Sequence, residues 1–166
     1  MSLFAQVNNF VNPDVDKLNG DGTFSALSPT LLELDFGTLV IGSGAVQAEI
    51  GITNDVLGPA DTLRGEFDLG TTVAGFSGFN AFTDINAGET QNGLIIDFDP
   101  VSLGNLNDII TIQLFGFNPS GFEQALAPIQ LSVTANVAPV PLPAPMWMLL
   151  SALAVLAKAR RKKALC

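Results

Sequence analysis

The sequence predicts an all-β sandwich over about residues 24–137, followed by one C-terminal transmembrane helix. Three observations predict it. Short apolar-polar alternations recur about every ten residues between Gly, Asn, Asp and Pro turns, in a chain of 166 residues with sixteen glycines. No long 3.6-residue period occurs before residue 145. The apolar run Met146–Ala157 is followed by a basic cluster and the chain end at Cys166.

Residues 1–23 are polar and turn-rich, with Asn12-Pro13-Asp14 and Asn19-Gly20-Asp21-Gly22 as turn signals. From Phe24 the β-like runs begin. Val46, Ala48, Ile50 and Ile52 alternate with Gln47, Glu49 and Gly51, as a half-buried strand requires. Leu94-Ile95-Ile96 is a short apolar run ahead of Asp97-Phe98-Asp99-Pro100. Ile110, Ile112 and Leu114 alternate with Thr111 and Gln113. Ile129, Leu131, Val133, Ala135 and Val137 form the cleanest strand pattern in the chain. Asn54-Asp55 and Asn105-Leu106-Asn107-Asp108 read as turns between strands. Phenylalanines 36, 67, 76, 79, 82, 98, 115, 117 and 122 are the expected bulky core.

Hydrophobic residues make up 48% of the chain, enough to bury a core, and charged residues only 14%. The charge is segregated: the first 157 residues hold two basic and sixteen acidic residues, net −14, and the last nine carry +5. An acidic body repels phosphates, which argues against nucleic acid as a partner. A basic run beside an apolar segment suits the cytoplasmic face of a bilayer better than nuclear import. There is no His and Cys166 is the only Cys, which excludes internal disulfides, Cys/His zinc sites and a Ser-His-Asp triad.

The tail divides into a Pro-rich linker at 138–145, an apolar helix at 146–157 and a basic end at 158–166. Twelve helical residues span about 18 Å, short of the roughly 30 Å hydrocarbon core. Counting from Val137, twenty-one uncharged residues reach Ala157, but Pro139, Pro141, Pro143 and Pro145 predict extended backbone ahead of a helix that begins near Pro145. Trp147 then falls at the interface. The basic residues trail the apolar run rather than interleave at helical spacing, which disfavours an amphipathic surface helix. Lys158, Arg160, Arg161, Lys162 and Lys163 act as a stop-transfer signal and place the body outside the cytoplasm. Such a body needs a secretion signal. Met1–Phe10 has neither a basic n-region nor an apolar h-region, so an in-frame signal upstream of Met1 is expected.

Val140-Pro141-Leu142-Pro143-Ala144, the apolar run and the basic end together resemble the VPLPA variant of the PEP-CTERM sorting signals. The resemblance implies recognition and cleavage by an exosortase-type enzyme at the inner membrane of a Gram-negative bacterium. It further implies delivery to the cell surface or extracellular polysaccharide matrix. The body also carries a resemblance. Leu34–Ser43, Ile50–Asn54, Ala87–Thr90, Phe98–Gly104 and Ile110–Gly116, in that order, are similar to the ASPM-SPD-2-Hydin type of immunoglobulin-like domain and the related choice-of-anchor D domains. That likeness spans roughly 31–137 and implies an immunoglobulin-like antiparallel sandwich used as a spacer or adhesive module.

Two ligand or chemical readings compete with a purely structural one. Asp14, Asp16, Asn19 and Asp21 are weak calcium candidates, because hard cations want carboxylate and carbonyl oxygens gathered on turns. Set against an EF-hand loop, Asn19, Asp21 and Gly22 match positions three, five and six. Lys17 and Ser28 fall where the first and last acids belong, so that motif fails and solvated turns are the default. Asp97 and Asp99, two apart on a strand end, share a face and form the tightest carboxylate pair for glycoside hydrolysis. Phe98 between them points to the core. The expectation is a non-enzymatic surface or matrix protein without a cofactor. Its rivals are an unprocessed membrane-anchored binding protein and a carboxylate-dependent carbohydrate-active enzyme.

Overall fold

The computed structural model describes residues 8–68, 76–77 and 81–141, together with positions 148, 151 and 153. The strands are β1 (Pro13–Gly20), β2 (Thr23–Ser28), β3 (Leu31–Val40), β4 (Val46–Asn54), β5 (Thr62–Asp68), β6 (Phe76–Ser77), β7 (Phe82–Ile85), β8 (Thr90–Phe98), β9 (Gly104–Asn118), β10 (Phe122–Ala125) and β11 (Ile129–Ala138). They form a four-stranded sheet, β1-β4-β8-β6, and a seven-stranded sheet, β2-β3-β11-β9-β5-β7 with β10 also on β9. Side chains from both sheets meet in one hydrophobic core, which makes the body a β-sandwich.

The alternating runs become the central strands. On β11, Ile129, Leu131, Val133, Ala135 and Val137 are all buried, and on β9 so are Ile110, Ile112 and Leu114. From the other sheet, Ala48, Ile50 and Ile52 of β4 and Leu94, Ile96 and Phe98 of β8 face them. The strand that closes the domain, β11, thus sits in the middle of the larger sheet, between β3 and β9.

Four expectations need correction. The sandwich is not wholly antiparallel, because β11 runs parallel to β3, with Leu131 opposite Leu32 and Val137 opposite Leu39. The turn-rich stretch before Phe24 contains β1, which pairs along β4 and buries Val15. Its acids and Asn hide the period, and the partner strand supplies the register. Asn105–Asp108 is not a turn but the first part of β9, which is 15 residues long, and Asp108 is buried. Phe115 and Phe117 point away from the core, because the parity that buries Ile112 and Leu114 puts them on the opposite face of β9. Phe122 is also exposed, and its ring meets Phe10 edge-on at 6.3 Å. Phe36, Phe76, Phe82 and Phe98 are core residues as expected, Phe67 is partly buried against them, and Phe79 lies outside the described residues.

Two glycines show why the strands approach so closely. A Cβ on Gly65 of β5 would stand 2.5 Å from both the Gln113 carbonyl oxygen and the Phe82 ring. Gly20 ends β1 at a φ of 85°, in the left-handed region that favours glycine, and turns the chain from one sheet to the other.

Candidate functional site

The four calcium candidates do not converge. Asp14 and Asp16 lie exposed on one face of β1, opposite Thr53 and Gly51. Asn19 turns its Oδ1 back to accept from the Gly20 amide at 2.8 Å. Asp21 is engaged with Gln47: its amide donates to the Gln47 carbonyl, and its carboxylate accepts from the Gln47 amide at 3.3 Å. Asx side chains here close a turn rather than face a common point. Among the described residues no group of three or more acidic, His or Cys side chains is placed to hold a metal ion.

Asp97 and Asp99 flank a fully buried Phe98, as their spacing requires. Asp97 is half-buried, and its Oδ1 accepts from Nε2 of Gln47, its direct cross-strand neighbour, at 2.6 Å. Asp99 lies just beyond the strand and is exposed. The Asp97 carboxylate thus takes part in a cross-strand hydrogen bond on a sheet face.

At the end of the sandwich remote from these acids lies a buried polar hub built on Asn54, which by its sequence alone is turn chemistry. Asn54 is 0% exposed. Its Nδ2 donates to the carbonyls of Asp61 and Ile85 at 3.1 and 3.2 Å, and its Oδ1 accepts from the Asn12 amide at 3.2 Å. One side chain therefore ties the chain before β1 to the segment before β5 and to the last residue of β7. Buried Asp61 continues the network by accepting from Asn118 Nδ2 at 2.9 Å and Asn8 Nδ2 at 3.2 Å. Every contact satisfies a buried polar group, which is an architectural task.

A cleft of about 410 Å³ opens where β5, β7 and β10 meet β9, lined by Arg64, Glu66, Phe82, Asp84, Phe115 and Glu123 among others. Arg64 pairs with Asp84 at 2.8 Å and lies 3.6 Å above the Phe117 ring. The side chains are 31% and 62% exposed, so the ion pair contributes at most about 1 kcal/mol. No motif in the sequence marks this cleft. Its only signal was Arg64, the one arginine ahead of the tail.

The expected sorting motif begins two residues beyond the last strand of the body. Val140 and Pro141, two and three residues beyond β11, are exposed. Leu142, Pro143 and Ala144, and the basic residues Lys158, Arg160, Arg161, Lys162 and Lys163, lie outside the described residues. So does the expected transmembrane helix, apart from helical positions Met148, Ser151 and Leu153; there Ser151 Oγ donates to the Met148 carbonyl at 2.8 Å. Among the described residues no helix is long and apolar enough to cross a membrane.

No protein-family profile matches the chain, and no curated protein sequence matches it. Solved structures do resemble it. The ASH / PapD-like domain 7 of human CEP192 is 14% identical with a TM-score of 0.48, covering 83% of this chain and 98% of that one. The N-terminal domain of PorA is 14% identical with a TM-score of 0.45, covering 75% and 97%. The Vibrio cholerae VesB protease is 10% identical with a TM-score of 0.44 over 70% of this chain, which spans about a third (32%) of that longer chain.

Proposed function

We propose that this chain is a non-enzymatic exported protein of the cell surface or extracellular matrix, sorted and cleaved by an exosortase-type membrane enzyme through Val140–Ala144. One observation carries the reading. The last strand ends at Ala138, and within two residues the chain presents Val-Pro-Leu-Pro-Ala, then, after Pro145, a twelve-residue run with Ser151 as its one polar residue, then five basic residues in six positions. Each part has a physical task. Alternating prolines keep the recognition segment extended and open to a protease. The apolar run partitions into lipid, and the basic end stays on the cytoplasmic side. The body, read as an immunoglobulin-like module of the choice-of-anchor D kind, is the cargo. It serves as a spacer or adhesive unit in an exopolysaccharide or biofilm matrix. The engagement of Asp97 with Gln47, and the place of Asp99 beyond the end of β8, favour this reading over the carbohydrate-active enzyme.

Cell fractionation of an exosortase-bearing Gram-negative host, with the chain placed behind a secretion signal, tests the reading. The native tail should send the body to the surface or medium. Replacing Lys158, Arg160, Arg161, Lys162 and Lys163 by Gln should abolish that delivery. Equal delivery of both would defeat the proposal.

A further inference from the structure

The chain leaves the sandwich from the middle of the larger sheet, and two loops flank the exit. Ala138 lies beside Val40, and the Ile41 amide donates to its carbonyl at 2.9 Å. On the other side Val137 faces Gly104, the residue after the loop 99–103. The loops touch each other, because the Gly42 amide donates to the Pro100 carbonyl at 3.0 Å. Val101, Leu103 and Val140 are therefore gathered at one end of the body, and they are 56%, 55% and 60% exposed. Loops 41–45 and 99–103 hold one charge between them, Asp99, in a body that is otherwise rich in acids.

Chain length limits how far this end can stand from the apolar segment. Six residue steps separate Val140 from Met146. Fully extended they reach at most about 22 Å. With Met146 at the hydrocarbon boundary, the headgroup layer of on the order of 5–8 Å takes up part of that reach. The end carrying Val101 and Leu103 is thus tethered within a short distance of any bilayer the tail enters.

We infer that this end of the sandwich rests on the lipid surface, with Val101 and Leu103 dipping among the headgroups of a zwitterionic phospholipid layer. The inference depends on the reading that Met146–Ala157 enters a bilayer. The exposed aliphatics gain from leaving water. At the same end the three acids Asp21, Asp97 and Asp99 outnumber Lys17, whose ammonium donates to the Gly20 carbonyl, and this balance disfavours an anionic surface and so selects a neutral one. Seated this way, the body holds Val140 and Pro141 against the membrane plane, where a membrane-embedded enzyme meets them.

Tryptophan quenching by brominated lipid tests this on the full chain in phosphatidylcholine vesicles. Trp147 is the only native tryptophan and reports insertion of the tail. In a Trp147→Phe background, Leu103→Trp reports this end. Leu57→Trp, at an 85% exposed position on the loop at the opposite end, is the control. The inference predicts at least twofold stronger quenching at position 103 than at 57, with a blue-shifted emission. Equal quenching at 103 and 57 while native Trp147 is quenched overturns the resting surface and leaves tail insertion standing. An unquenched Trp147 in the native chain overturns the insertion reading and this inference with it.

Discussion

Phe98 of β8 stacks on Phe36 of β3 across the gap between the sheets, with ring centroids 6.0 Å apart and planes 21° from parallel. Phe76 of β6 adds a second contact to Phe98 at 4.4 Å. The aromatic at the middle of Asp97-Phe98-Asp99 is therefore the pin between the two layers at the end where the tail departs.

Phe98→Ala should cost about 3–5 kcal/mol, because a fully buried ring leaves a cavity that two rigid sheets cannot close. Phe98→Leu should cost under half of that. Urea unfolding of the two variants checks this; equal midpoints for Phe98→Ala and the native chain would remove Phe98 from its role as the pin.

Asn54→Ala should destabilise by about 2–4 kcal/mol, since it strands the carbonyls of Asp61 and Ile85 and the Asn12 amide. Asn54→Asp should be no better. It keeps an acceptor for Asn12 but turns a carboxylate toward two carbonyl oxygens. The readout is the denaturation midpoint at constant slope, together with hydrogen exchange of the Asn12 amide.

Gly65→Ala should cost about 1–3 kcal/mol by overpacking, because its new methyl would press on the backbone of β9 as well as on Phe82. Gly42→Ala meets nothing within 4 Å, and its cost, about 1 kcal/mol, comes from a φ of 72°. Thermal melts of both variants separate crowding from backbone strain.

Millimolar calcium should leave the melting temperature of the full chain unchanged, and Asp14→Asn and Asp16→Asn should each move stability by less than about 0.5 kcal/mol. A rise in melting temperature that is lost in either variant would restore the calcium reading of the N-terminal acids.

The β character and the core were legible where period-two alternation was clean, as in Ile129–Val137 and Val46–Ile52. β1 was hidden because only Val15 among its eight residues is buried, and its pairing partner lies some thirty residues away along the chain. The parallel pairing of β3 with β11 is a property of topology, and no local pattern encodes it. Asn54 read as a turn because Asn closes turns so often. Its burial depends on three chain segments meeting around it, a long-range fact that a local window does not contain. The tail is the reverse case: its expected sorting role rests on composition and order alone, because Leu142–Ala144 and the basic residues lie outside the described residues.

Mass spectrometry of the C-terminal peptide, from protein recovered at the surface or in the matrix of an exosortase-bearing cell, tests the central claim most directly. The account predicts a chain that ends within or next to Val140–Ala144 and lacks every residue of the apolar and basic segments. Recovery of a terminal peptide still carrying Arg160 to Cys166 would contradict it and leave an unprocessed membrane-anchored protein.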